Sequence, residues 1–414
     1  MEENVAESSY QNIQYFISDA VWDHQIVQDQ LAREAHKYLR SLGLPIGLFI
    51  DESGFRKKGK MSVGVMRQWL GCIGKRDNGQ VGVFAALGAG RFAVPVAEQL
   101  FIPESWANDP DRCRKAKIPE EEIRHRTKIE IATDMISRMN DLEIDYDFVA
   151  VDGLYGQSRE FTVKLDDSGK TFVGDIKKNY TVYLEDPKPY LPESKAGARG
   201  RKPTKLKTDS KAVRVDKLVK KLKDSDWEDI EVRHAMKGIL EIKFYRQTVW
   251  IWDNKMDKPR KWLLLIRKDI SDYEKTTFSY SLCNLPHNTQ SQKLAEYDCA
   301  RFWIEQGFRN GKQEAGMKDY QVRSWNGWHH HMTMVMLLML FMMKSQIELK
   351  NEIPLISYRD LKELLDALLP SKYNGFLGAI LKMLARHRAR YNDIIGSYRR
   401  KGQTPTTELM AALL

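Results

Sequence analysis

Cysteine is scarce, with four in 414 residues. Cys72, Cys113, Cys283 and Cys299 are scattered without a CxxC pair. That excludes a disulfide framework and a thiolate zinc site of the usual spacing, and it fits a reducing compartment. Long apolar runs are lacking too. The most apolar stretch, Met332–Met343, is too short for a bilayer, which takes about 20 residues, and reads as a buried helix. The N-terminus carries acids where a signal peptide has a basic and then an apolar region. A soluble cytoplasmic protein with no membrane partner is the expectation. Wholesale disorder is excluded by a hydrophobic content of 42%, enough for a sizeable core in two or three domains.

Neither sign of charge is lacking, but Lys and Arg (66) outnumber Asp and Glu (56), for a net charge of +10. The excess is local. Residues 185–223 carry 13 basic and 5 acidic residues, and residues 382–401 carry 7 and 1. Two such stretches suit a polyanionic partner. Within the first, GARGRKPTK sets Arg199, Arg201 and Lys202 among small residues, as in arms that enter a DNA minor groove. A flexible solvated loop is the equal alternative. Trp250, Trp252 and Trp262 are candidates for stacking on an unpaired base, although strand core is the commoner fate of such residues.

Three segments place a carboxylate at the edge of a core: LFIDESGFRKKGK with Asp51, FVAVDGLYG with Asp152, and RFWIEQGFRNGK with Glu305. Two aspartates and a glutamate are the ligands that a pair of Mg²⁺ ions needs. Hard cations take oxygen ligands, and two ions about 3.5–4 Å apart clamp the attacking and leaving oxygens of a phosphoryl transfer. Each carboxylate also has a plain reading: a polar strand end for Asp51, an Asp-Gly turn for Asp152, a solvated helix face for Glu305. Arg301, Glu305, Phe308 and Lys312 recur at helical spacing and share one face, which suits metal and phosphate together. Glu314, nine residues on, points to nearly the opposite side. Three consecutive histidines, His329–His331, fan about 100° apart on a helix and make a poor chelate, so they read as structural or phosphate-facing.

The chain reads as a helix over 8–44, then a strand at 46–51. Strands at 67–75 and 79–88 follow, with a turn at Asp77-Asn78-Gly79. A helix over 120–142, a strand at 145–153 turning at Gly153, a helix near 157–167 and a strand at 171–177 come next. After a proline-punctuated basic stretch, strands are expected at 240–253, 260–269 and 276–284, and helices at 291–314, 327–348, 359–368 and 375–390. The order βββ-α-β-α-β predicts an α/β fold: an RNase H-like catalytic core, a mixed five-stranded sheet with flanking helices. A mostly β insertion interrupts it, and helical N- and C-terminal regions flank it. The divisions fall at 1–45, 46–183, 184–286, 287–348 and 349–414.

IDESGFRKKGKMSVGVMRQWLG, LFIPESWANDPDRCRKAKIP, VAVDGLYG and IEQGFRNGKQEAGMKDYQVRSWNGWHHHMT together resemble the DDE transposases of bacterial insertion sequences, in the branch with a β insertion before the glutamate. The resemblance runs from about Tyr10 to Lys344. It implies that Asp51, Asp152 and Glu305 are the catalytic, metal-holding triad, with two Mg²⁺ ions for which Mn²⁺ substitutes. It implies double-stranded DNA as substrate, both element ends and target, and a homodimer on that DNA. Arg301, Glu305 and Lys312 fit the family's Tyr-Arg-Glu-Lys spacing, which makes Arg301 and Lys312 DNA contacts. The tyrosine's position is Asp298, with Tyr297 one residue off, and Asp51-Glu52 stands where Asp-Asp is common. Residues 1–45 correspond to the end of a helical DNA-binding region. A metal-dependent nuclease without strand transfer, or a transposase-derived DNA-binding or repressor protein, are the alternatives.

Overall fold

A computed structural model of the chain describes residues 9–192, 203–235, 238–270, 276–369, 375–400 and 402. The strands are β1 (Gly47–Arg56), β2 (Met66–Leu70), β3 (Lys75–Ala89), β4 (Phe92–Leu100), β5 (Phe148–Val151), β6 (Phe172–Asp175), β7 (Thr181–Val182), β8 (Val213–Arg214), β9 (Glu228–Ala235), β10 (Gly238–Ile251), β11 (Arg260–Ile270) and β12 (Thr276–Cys283). The helices are α1 (Tyr10–Ser18), α2 (His24–Arg40), α3 (Glu104–Ala107), α4 (Pro110–Lys115), α5 (Lys128–Asp141), α6 (Arg159–Asp167), α7 (Val215–Val219), α8 (Ser291–Ala300), α9 (Phe302–Gln313), α10 (Trp325–Glu348), α11 (Tyr358–Leu368) and α12 (Gly375–Arg400). The chain divides into two compact units, Trp22–Glu348 and Met1–Val21 with Leu349–Leu414. No described helix is long and apolar enough to cross a membrane.

The larger unit is a mixed α/β structure built on one large mixed sheet. Its strands run β2-β3-β1-β5-β6-β12-β11-β10-β9, with β4 also paired to β3. β1, β5 and β6 are parallel, and β3 is antiparallel to β1. The sheet has ten strands, because the strands read as an insertion join the five expected of the core. The strands read as an insertion do not close on themselves: β12 pairs with β6 through Ser281↔Asp175, Leu282↔Gly174 and Cys283↔Val173. A buried β6 would otherwise expose a row of unpaired backbone groups, and β12 covers it.

Other expectations shift for local reasons. The first helix breaks in two, because the Asp23 carboxylate caps α2 by accepting from Gln25 N (2.8 Å). The turn after β2 falls at Gly71–Gly74, where Gly74 takes φ +61°, not at Asp77-Asn78-Gly79. Those three lie inside β3, opposite Gln68, Arg67 and Met66, and the Asn78 amide donates to the Lys57 and Gly59 carbonyls (2.7 and 2.9 Å). β4 went unread because Pro95 interrupts its apolar run. In place Pro95 sits at a bulge on a strand that, among the described residues, pairs only with β3, where a missing N–H is tolerated.

α2 and α10 pack on β4, and α10 is buried along much of its length. The histidine triplet is structural. Glu98 is buried on β4 and accepts from Trp328 Nε1 (2.7 Å) and His329 Nδ1 (2.5 Å). His24 stacks on His329 at 4.4 Å between centroids. His330 stacks on Trp22 (3.9 Å) and donates to its carbonyl, and His331 donates to the Gly316 carbonyl. Burial drives His24 down to about 4, so this seam stays neutral at His24 at ordinary pH.

Candidate active site

The three parallel strands bring three aspartates into one row. Ile50 pairs with Val151, and Val151 with Gly174, so the next residues along stand level: Asp51 on β1, Asp152 just past the end of β5, and Asp175 on β6. Neighbouring strands lie about 4.8 Å apart. Asp51 was expected at a strand end. It stands mid-strand instead, because β3 remains paired to β1 as far as Arg56, but it is where β5 stops.

The turn after β5 sets Asp152. Its Oδ1 accepts from Leu154 N (2.9 Å), and its carbonyl accepts from Tyr155 N and Gly156 N (3.2 and 2.8 Å). The glycine that this turn needs is Gly156, not Gly153. A Cβ on Gly156 would stand 2.2 Å from the Asp175 carbonyl, inside contact distance of the β6 backbone. Any side chain there would push the Asp152 turn away from β6.

Arg301 gathers the carboxylates. It stands between α8 and α9 and splits the single helix expected over 291–314. Its Nη1 lies 3.2 Å from Asp51 Oδ2, its Nε 3.2 Å from Asp175 Oδ2, and its Nη2 2.7 Å from Glu305 Oε1. Glu305 lies in the first turn of α9, where the helix dipole favours a carboxylate. Lys312, two turns on along that helix, donates to the Gly54 carbonyl of β1 (3.3 Å), and its ammonium lies over the Phe55 ring. Burial lowers its pKa.

Burial raises Asp51 to about 7 against the opposing pull of Arg301, and Asp152 and Glu305 push it further up. Asp175 rises to about 6 by burial, with Arg301 again opposing. Behind Asp175 stands a second carboxylate, Asp298. The Ser281 hydroxyl lies 3.1 Å from Asp175 Oδ1 and 2.5 Å from Asp298 Oδ1, and Arg267 donates to Asp298 (3.3 Å). Tyr297 is used in packing, stacked on Phe148 at 3.9 Å.

Asp51 and Glu305 thus each meet Arg301, Asp152 stands beside Asp51 in the row, and Lys312 reaches the same strand. Arg199, Arg201 and Lys202 lie outside the described residues. Asp175 was not foreseen. Its only local signal is Gly-Asp at the end of a short apolar strand, and its cationic partner is 126 residues away.

The donor set suits a hard divalent cation. Every donor is a carboxylate oxygen. Asp51, Asp152, Asp175 and Glu305 outnumber the two cations, Arg301 and Lys312. The buried Tyr155 hydroxyl has no hydrogen-bond partner, and burial and the charges of Glu52, Asp152 and Asp51 hold its pKa well above the usual value. Among the described residues no three His, Cys, Asp or Glu side chains are grouped closely enough to hold a metal ion: the Arg301 guanidinium stands between Asp51 and Glu305.

A family model described as DDE superfamily endonuclease matches residues 1–239, a span that holds Asp51 and Asp152 and stops short of Glu305. A probable transposase for insertion sequence element IS701 of Microchaete diplosiphon is 24% identical over 318 residues, 75% of this chain and 68% of the relative. Among solved structures, piggyBac transposase in a synaptic complex with hairpin DNA aligns with a TM-score of 0.35 at 9% identity, over 78% of this chain. The present chain spans about half, 52%, of that protein's length. With more than half of its residues matched by the family model, the chain belongs to the DDE superfamily of endonucleases, as its resemblance to insertion-sequence transposases implied.

Proposed function

We propose that the chain is a cut-and-paste DNA transposase with an RNase H-like core formed by β4, β3, β1, β5 and β6. In this reading it binds terminal inverted repeats, cleaves at the element ends, and joins the freed 3′-OH to target DNA. The observation that carries the reading is the row of Asp51 and Asp152 on adjacent parallel strands, with Glu305 tied to Asp51 through Arg301. Asp51, Asp152 and Glu305 would hold two Mg²⁺ ions, with Mn²⁺ as substitute. Bound there, such ions activate water and neutralise charge on the reacting phosphate.

The chain's own residues do the rest. Arg301 keeps Asp51 and Glu305 from repelling each other, and a guanidinium so placed also suits a phosphate oxygen. Lys312 adds a second cation at the β1 end of the site. Arg199, Arg201 and Lys202 are assigned to the DNA backbone or minor groove. The homodimer on DNA draws support from the apolar surface that α12 leaves exposed, including Phe376, Leu377 and Leu381.

A strand-transfer assay tests the reading. Duplexes carrying the DNA that flanks the gene, incubated with the protein and Mg²⁺, are expected to yield nicked ends and then products joined to a second, unrelated duplex. Nicking without joined products would leave a nuclease in place of a transposase.

A further inference from the structure

We propose that Asp175 is a positioning residue: it takes over the Arg301 guanidinium when a divalent ion claims Asp51 and Glu305. The inference rests on the reading of those two carboxylates as metal ligands, and concerns the one carboxylate of the site which that reading leaves unused.

Arg301 divides its donors among three acids. Nη1 lies 3.2 Å from Asp51 Oδ2, Nη2 2.7 Å from Glu305 Oε1, and Nε 3.2 Å from Asp175 Oδ2. The guanidinium therefore stands where an ion shared by Asp51 and Glu305 would stand, and like charges at one point exclude each other. For the ion to enter, the Nη1 and Nη2 contacts must open. Arg301 cannot then be left alone. Its side chain is only 23% exposed, and a largely buried cation without a partner is strongly destabilising. Asp175 is the acid that remains. Nε already sits on it, so the fork has only to turn about that contact to place a second nitrogen there, the paired geometry that guanidinium and carboxylate favour. Burial works against the charged guanidinium, and of the carboxylates that hold its pKa above the usual value Asp175 acts most strongly, ahead of Asp51.

Asp175 is a fixed post for such a movement. A Cβ on Gly156 would stand 2.2 Å from the Asp175 carbonyl, so the turn after β5 lies close against it on one side. On the other side Asp175 pairs with Ser281 of β12. The Ser281 hydroxyl lies 3.1 Å from Asp175 Oδ1, the oxygen that does not meet Arg301, and so orients the carboxylate without occupying Oδ2. The same hydroxyl lies 2.5 Å from Asp298 Oδ1, and Asp298 has its own cation in Arg267, at 3.3 Å. Asp298 therefore does not compete for Arg301. The residue at the tyrosine position of the Tyr-Arg-Glu-Lys pattern thus belongs to the support of Asp175.

The test is a double-mutant cycle on the Mn²⁺ affinity of the full chain without DNA, read from the loss of the free ion's electron paramagnetic resonance signal. Asp175→Asn is expected to weaken Mn²⁺ binding about tenfold, because Arg301 loses its alternative partner, and Arg301→Gln to bind at least as tightly as wild type, because a competing cation is gone. In the Arg301→Gln background, Asp175→Asn should change the affinity by less than about threefold. Wild-type crystals soaked in Mn²⁺ give a second reading that needs no variant to fold: Arg301 is expected off Asp51 and paired with Asp175 through two nitrogens. Unchanged Mn²⁺ affinity in Asp175→Asn, the same loss with and without Arg301 (the mark of a direct metal ligand), or Arg301 still on Asp51 beside a bound ion would each overturn the proposal while leaving the metal reading intact. A wild type that binds no Mn²⁺ at the aspartate row would overturn both.

Discussion

Asp152→Asn is expected to slow Mg²⁺-dependent DNA cleavage by at least about 10³-fold, or about 4 kcal/mol of barrier, with DNA affinity within about threefold of wild type. The reason lies in what the substitution keeps. An asparagine oxygen still accepts from Leu154 N, so the turn that Asp152 makes after β5 stays in place. Only the charge is lost, and with it a hard ligand. Affinity survives because phosphate contacts over a broad surface supply most of it. Asp51→Asn should act in the same direction, with a further cost to folding, because Asp51 is buried and partnered by Arg301 and its loss leaves that cation less well compensated. Cleavage by either variant at near wild-type rates would remove these residues from the catalytic centre.

The second large effect separates two glutamates on one helix. Glu305→Gln is expected to eliminate cleavage, and Glu314→Gln to cost less than about tenfold, under about 1.4 kcal/mol. Glu305 lies in the first turn of α9, 2.7 Å from an arginine that also holds Asp51. Glu314 caps the other end of the helix, roughly 13 Å along the axis at 1.5 Å per residue. Only the first end meets the aspartate row. Single-turnover cleavage rates of the two variants decide the matter, and the reverse order of effects would show that α9 had been placed in the wrong role.

The carboxylates of the candidate site could be named from the sequence because each sits in a segment with its own local signal. Asp51 and Asp152 end apolar runs, and Glu305 shares a helical face with Arg301 and Lys312. Parallel pairing then did the arithmetic: two short buried strands, in register at Ile50 and Val151, leave their next residues side by side. Asp175 was illegible because its importance is not local. It depends on a third strand in the same register and on an arginine far along the chain. The sheet's extension was hidden for the same reason. Strands at 240–253 and 260–269 were visible from alternation and apolar content, but nothing in them states that β12 pairs with β6. Pro95 hid β4, since a proline is a poor guide on a strand with one free edge. Trp252 and Trp262 are strand core, the commoner fate expected of them.

One measurement bears most directly on the claim that Asp51, Asp152 and Glu305 form a metal centre. Crystals of the protein soaked in Mn²⁺ and measured at the manganese absorption edge locate the ion without reference to activity. The account predicts anomalous density in contact with the carboxylates of Asp51 and Asp152, lost in an Asp152→Asn crystal. Density bound elsewhere, or none at the aspartate row at millimolar Mn²⁺, would contradict it.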